Sequence, residues 1–367
     1  MEAQSKINFS LITKILVVLS GLWAIGRVGV STIPGLSSAA DNAFGWPFNE
    51  LTQYSAFSAT SPVGSIVFTL MGRNDPRVFL GMHVVAVVVA VAVMLWWVKL
   101  LTPRTTRLMA LRLVFLSPWV ALLLIFLGSY DPFTVIGFGL LLLALKTNKS
   151  ILVLLAGLLL GFQHFEQSVF AVIAAFLTAI ALRERLPIGY LQLRKFVFTF
   201  IGLILGKLLL TLILTLSSSS GAFGRSAFWS AEWIRMSLVT SVNFWSVLLL
   251  SLFAGSWGLV VVTGLSVQRR QQFTLFVAFL TCLVPALITL DHTRVFVMSS
   301  LMALSIITVA FARSSNSIRP KEFIYVEALA WLIVPITVWV SMDATPYLHP
   351  VGSLDQLIIF YNQVLNL

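Results

Sequence analysis

The sequence predicts an all-α, polytopic transmembrane helical bundle, and three observations predict it. Hydrophobic residues make up 59% of the chain and charged residues only 10%, with a mean hydropathy of +0.98. A soluble domain carries roughly 25% charged residues, so this chain has too few to coat a water-facing surface. Apolar stretches close to the about 20 residues that a spanning helix needs recur along the whole length. The basic residues behind the net charge of +11 sit in short clusters between those stretches. That is the juxtamembrane pattern, not the footprint of a nucleic-acid binder. The whole of 1–367 therefore reads as one transmembrane domain whose partner is the lipid bilayer, with no nucleic acid.

The candidate spans, about 11 in number, run over 11–31, 79–98, 108–128, 132–146, 151–164, 167–182, 196–216, 243–264, 271–290, 295–312 and 323–342. The first follows Lys6 and Lys14 as a signal peptide would, but no small-residue cleavage pattern comes after it, so it reads as a retained helix. The stretches 132–146 and 151–164 are short for full crossings and suit tilted or re-entrant partners. Cys282 is the lone cysteine, which excludes disulfides within the chain and thiolate metal clusters.

Every second connection is basic: Lys99, Arg104 and Arg107, then Lys146 and Lys149, then Arg183, Arg185, Arg194 and Lys195, then Arg269 and Arg270, then Arg313, Arg319 and Lys321. The positive-inside rule puts these loops and the N-terminus in the cytoplasm and the C-terminus on the other side. Acids contribute little to orientation, so their placement is independent information. Nine of the 13 fall on the non-cytoplasmic side, namely Asp41, Glu50, Asp75, Asp131, Glu166, Glu232, Asp291, Asp343 and Asp355. That side also carries the two long loops, 32–78 and 217–242, and within the second the stretch Phe228 to Met236 suits an interfacial helix. The working face is predicted outside. Asn-x-Ser/Thr sequons occur only at Asn8 and Asn148, both predicted cytoplasmic, which fits a bacterial plasma membrane.

Four outer stretches hold residues that can carry chemistry. The first loop packs Asp41, Trp46, Glu50 and Tyr54 into 14 residues; carboxylates bind hydroxyl-rich ligands and can act as bases, and aromatic faces stack on sugar rings. The same residues also suit a solvated loop with aromatic interface anchors. Gly128-Ser-Tyr-Asp131-Pro132 holds a carboxylate that equally suits a helix cap. Phe162-Gln-His164-Phe-Glu166-Gln167 lies at the mouth of the hairpin 151–182, and one His and one Glu are too few to specify a metal. Asp291-His292-Thr293-Arg294 offers a guanidinium for a phosphate, or an Asp and Arg that neutralise each other. Lys207 lies mid-span and needs a polar environment, and His83 reads as a packing residue. No Walker loop, dinucleotide glycine pattern, zincin motif or nucleophile elbow is present.

The long acidic loop after the first span, Gly128 to Asp131 followed by an apolar run to Lys146 and Lys149, and the late Asp291-x-x-Arg294 together resemble the GT-C superfamily of polytopic membrane glycosyltransferases over roughly residues 10–310. The first loop departs from the paired acids of many members, with Asp41 and Glu50 nine positions apart. The resemblance implies a GT-C-like bundle that takes a sugar from a lipid-linked donor, a polyprenyl phosphate, and passes it to a glycan or lipid acceptor at the non-cytoplasmic face. It implies a carboxylate base, by preference Asp41, with Glu50 and Asp131 as the other candidates. It further implies positive charge for the leaving phosphate from Arg294, Arg73, Arg77 or a divalent metal ion, with Asp291, His292, His164, Glu166, Trp46 and Tyr54 contacting substrate. The competing classes are a transporter or lipid-linked-glycan flippase, which places polar residues at the midplane of repeated broken helices, and a non-catalytic assembly subunit.

Overall fold

A computed structural model describes residues 2–48, 61–147, 149–187, 192–217, 230–289, 291–314, 319–333, 335, 337–340, 346–349 and 360–362. Glu50 and Tyr54, and residues 218–229 of the second long loop, lie outside the described residues. The helices in order are α1 (Glu2–Val28), α2 (Leu36–Ala43), α3 (Pro62–Leu70), α4 (Pro76–Leu101), α5 (Arg107–Phe115), α6 (Pro118–Ile125), α7 (Asp131–Lys146), α8 (Ser150–Ala181), α9 (Leu193–Leu216), α10 (Ala231–Asn243), α11 (Trp245–Phe253), α12 (Trp257–Leu265), α13 (Arg269–Leu287), α14 (His292–Arg313) and α15 (Pro320–Leu332). A short antiparallel pair, β1 (Thr337–Val340) and β2 (Pro346–His349), follows them. Among the described residues, seven helical segments have the length and apolarity to cross a membrane, α8 by its total of 32 residues: α4, α5 with α6, α8, α9, α11 with α12, α13 and α14. The chain is a multi-pass helical membrane protein.

The centre of the bundle is α14. Its apolar stretch is 94% buried, against 28% for α9 and 22% for α13, whose Leu and Phe side chains face outward. In lipid no hydrophobic force drives helices together, so close packing and side-chain hydroxyls do it. Along α14, Ser299, Ser300, Ser305 and Thr308 are all buried, and the last two bond back to carbonyls at i−4.

The breaks in the helices have identifiable causes. Pro118 cannot continue α5 and starts α6 instead, and this releases the Leu116 carbonyl. Arg27 answers that break: it donates to Leu116 O at 2.7 Å, and to Ala330 O at 2.7 Å and Ile333 O at 3.1 Å at the end of α15. An arginine at the end of α1 thus satisfies backbone groups that lipid cannot. The predicted span 323–342 is not one helix. Its helical part stops at Leu332, because Pro335 follows and the β-branched Thr337, Val338 and Val340 pair as a strand. The hairpin is also the exception to the all-α expectation.

The segment α8 covers 32 residues but is not straight. His164 leaves the helical region (φ −163°, ψ 76°), and the Ser168 hydroxyl donates to Leu160 O at 3.4 Å, eight positions earlier. In a straight helix eight residues rise about 12 Å, so the chain doubles back at His164. Its neighbours agree. Gly157 lies on Thr199 and Gly161 on Leu203, so the first limb runs parallel to α9, whereas Phe176 stacks on Phe196 with ring centroids 4.1 Å apart, so the second limb returns antiparallel. The predicted hairpin 151–164/167–182 is therefore the arrangement found. The limbs 150–163 and 165–181, like α7, fall short of the about 20 residues of a full crossing. Together with the end of α15, this accounts for three of the four spans by which eleven exceeds seven; the fourth is the predicted 11–31, whose helix α1 is not among the seven.

Two glycine pairs allow the first limb and α9 to meet. Gly157 and Gly161 on one helix face Gly202 and Gly206 on the other, and a Cβ on Gly161 would stand 2.0 Å from Leu203 O. The spacing is that of close helix crossings in membranes.

This topology segregates charge by end. Lys195 Nζ donates to Leu145 O at 2.7 Å, joining the basic ends of α7 and α9. Arg185 bonds the Ser266 hydroxyl at 2.8 Å, and Arg313 donates to Leu101 O at 2.9 Å. Asp131, His164 and Asp291 gather at the opposite end, the acidic border.

Candidate functional site

At the acidic border the chain first straps itself to α6. Ser31 and Ile33 donate to the Leu124 and Leu127 carbonyls, and Leu127 returns a bond to Ser31 O. Gly128 then turns with φ +94°, where a Cβ would stand 2.5 Å from Leu36. Only glycine suits that turn, and it delivers Ser129, Tyr130 and Asp131 to the head of α7.

Asp131 is not a helix cap. Tyr130 holds the cap position without a side-chain capping bond, and Asp131, its side chain 4% exposed, faces α14. There Arg294 donates from Nε to Asp131 Oδ2 at 2.6 Å and from one terminal nitrogen to Oδ1 at 3.2 Å. The other terminal nitrogen donates to Asp291 Oδ2 at 3.1 Å, and the Ser129 hydroxyl donates to Asp131 Oδ2 at 3.2 Å. The guanidinium also sits over the Phe126 ring, 5.6 Å from its centroid. The internal Asp291–Arg294 pair expected from sequence is present, and a third charge from 163 positions away completes it. Two carboxylates around one guanidinium leave a net charge of −1. Three of the five guanidinium N–H groups meet carboxylates, which leaves one on each terminal nitrogen for another acceptor. Burial pushes the Asp291 carboxyl above its ordinary value, and Arg294 opposes that shift.

The third motif joins the same floor. Gln163, one residue before the apex of α8, donates to Tyr130 O at 3.2 Å and accepts from Val63 N at 3.0 Å, tying α7, α8 and α3 together. The Tyr130 hydroxyl accepts from Ser65 at 3.4 Å, and its ring packs on His83. His83 is the packing residue expected, its Nδ1 on Phe79 O. His164 is buried at the apex. Glu166 is committed to Lys207, 2.7 Å away, which supplies the polar environment that the mid-span lysine needs. His292 is buried with Nδ1 on Ala286 O, so it faces the protein interior.

The first loop reaches this region only in part. Trp46 is buried edge-on against Phe162 (centroids 6.2 Å, planes at 87°), which leaves little ring face for a sugar, and its indole N–H has no partner among the described residues. Asp41 is exposed on α2, and Asn74 donates to it at 3.0 Å. Arg73 is exposed beside that asparagine, and Asp75 caps α4 through Arg77 N. The Asp41 contacts thus run to the 73–77 corner, and none links it to Asp131 or Arg294 among the described residues.

For a metal the donor set is thin. Among the described residues no three His, Cys, Asp or Glu side chains gather closely enough to hold one, and Arg294 occupies the space between the two best candidates.

Compared with protein-family models, with curated proteins and with solved structures, the chain finds no match in any of the three. Fold and site together define a class: a multi-pass helical membrane protein with a buried ion cluster at one border.

Proposed function

We propose that this protein is a membrane glycosyltransferase acting at the non-cytoplasmic face, with a polyprenyl-phosphate sugar as donor and a glycan or lipid as acceptor. The observation that carries the reading is the Asp131–Arg294–Asp291 cluster, in which two motifs of the GT-C resemblance, far apart in sequence, meet at one border. Gln163 brings a third outer stretch to it.

The chemistry is a single displacement. A loop carboxylate takes the proton of an acceptor hydroxyl as its oxygen attacks the anomeric carbon. The bond from that carbon to the phosphate oxygen breaks, and its electron pair leaves with the lipid phosphate. The two N–H groups of Arg294 that meet no carboxylate among the described residues are the donors this reading assigns to that developing charge, the use to which fixed donors are best put. Asp131, held in a bidentate ion pair, orients Arg294 and has no free role as base. Asp41, exposed and held by a single amide, is free to accept a proton.

Asp41→Asn is expected to abolish transfer while the protein still inserts and folds. Full activity in that variant removes Asp41 from the role, and full activity in Glu50→Asn and Asp131→Asn as well sinks the enzyme reading.

A further inference from the structure

We infer that the basic border carries a binding site for one anionic phospholipid, with its headgroup at Arg185 and one acyl chain in a cavity between α8, α12, α13 and α14. The cavity measures about 450 Å³, within the range of small-molecule sites, and is lined almost wholly by apolar side chains such as Phe253, Phe279 and Leu304. Its mouth opens sideways towards the bilayer. Val261, Leu265 and Phe276 line it and are also 47%, 75% and 54% exposed, so it is continuous with the lipid-facing surface.

Three further features select the ligand. Directly below the cavity, where α12 passes into α13, a second and polar pocket of about 190 Å³ is lined by Arg185, Ser266, Gln268 and Gln271, with Glu184 its lone acid. Arg269 and Arg270 are exposed in the first turn of α13 beside it, and the positive helix N-terminus adds to their field. Between the two pockets, Thr263 is fully buried, lines the apolar cavity, and has a hydroxyl without a partner among the described residues. Such a group costs free energy unless something accepts its hydrogen.

A phospholipid fits all three levels in order. Its phosphate meets the guanidinium and amides of the polar pocket, an ester carbonyl accepts from Thr263 one helical turn further in, and the chain runs up the cavity. From Gln268 to Cys282, α13 rises about 21 Å, room for an extended acyl chain. Basic pockets between membrane helices at this depth are where lipid headgroups dock. The guanidinium prefers a headgroup with net negative charge to one whose phosphate is already balanced by choline.

The test is native mass spectrometry of the full-length protein in detergent, titrated with phosphatidylglycerol and, separately, with phosphatidylcholine of the same chains. The expected result is retention of one phosphatidylglycerol with at least a tenfold preference. Arg185→Gln, and independently Arg269→Gln/Arg270→Gln at two exposed positions, should cut the preference at least threefold while the chain still binds. Thr263→Val, which removes the lone hydroxyl without disturbing a bond, should weaken retention of both lipids. Ala303→Phe, which fills the cavity, should abolish it. Equal retention of the two lipids by the wild-type protein, or an unchanged preference in both arginine variants, overturns the assignment.

Discussion

Replacing Asp131 with asparagine tests the centre of the site, and its cost can be worked from the contacts. The carboxylate accepts two bonds from Arg294, at 2.6 and 3.2 Å, and its side chain is 4% exposed. An asparagine of the same shape offers one oxygen, so one bond survives as a neutral-acceptor bond and the other becomes a donor facing a donor. A bond to a charged group contributes roughly 1.5–3 kcal/mol and a neutral one about 1, so exchanging two of the former for one of the latter loses about 2–5 kcal/mol. Arg294 keeps Asp291 and is 29% exposed, so the loss falls at the lower end, about 2–3 kcal/mol. The assay is thermal unfolding in detergent of the wild-type protein, Asp131→Asn, Arg294→Gln and the double variant, followed by tryptophan fluorescence. Arg294→Gln, which takes the cation from both Asp131 and Asp291, should cost more than Asp131→Asn, and the double variant should cost no more than Arg294→Gln alone. Additive losses, or a loss under about 0.5 kcal/mol in Asp131→Asn, refute the ion cluster.

The other perturbations probe the scaffold. Gly161→Val drives a methyl group into the Leu203 carbonyl, backbone that cannot give way, and should lower stability by at least about 3 kcal/mol, seen as loss of a monodisperse peak in size-exclusion chromatography. Arg27→Met strands the Leu116, Ala330 and Ile333 carbonyls at about 1 kcal/mol each, so the melting temperature should fall by the equivalent of about 2–4 kcal/mol. Lys207→Met removes the ion pair with Glu166; the pair is about one-third exposed, so the loss in thermal unfolding should stay at about 1 kcal/mol.

Much of the scaffold was legible in the sequence because membrane helices announce themselves by length, apolarity and flanking charge. The basic steps at Lys146/Lys149 and Arg183/Arg185 already required the chain to return between them, and the turn at His164 provides that return. The end of the last predicted span was also legible in Pro335 and the β-branched run after it, but hydropathy outweighed it there. The glycine pairs 157/161 and 202/206 mark a helix crossing by their four-residue spacing alone, a signal that leaves no trace in hydropathy or charge.

The site was legible as four separate stretches and not as one arrangement. Asp131 could cap a helix or bind a partner, and no local signal chooses between those roles. The choice is made by Arg294, 163 positions away, which only the folded bundle brings near. Gln163, an amide inside an apolar run, was the one visible sign of a polar link between α7 and α8. Asp41 went the other way: prominent by composition, it binds Asn74 at the rim rather than the buried cluster.

The most direct test of the central claim is made on proteoliposomes containing the purified protein. A panel of polyprenyl-phosphate sugars, labelled in the sugar, is offered with glycan and lipid acceptors, and free lipid phosphate and labelled product are followed together. If the protein is a transferase, one donor should release lipid phosphate in step with a new glycosidic product, and Asp41→Asn should stop both. Labelled donor that crosses the bilayer without any covalent product, or no turnover of any donor, would contradict it.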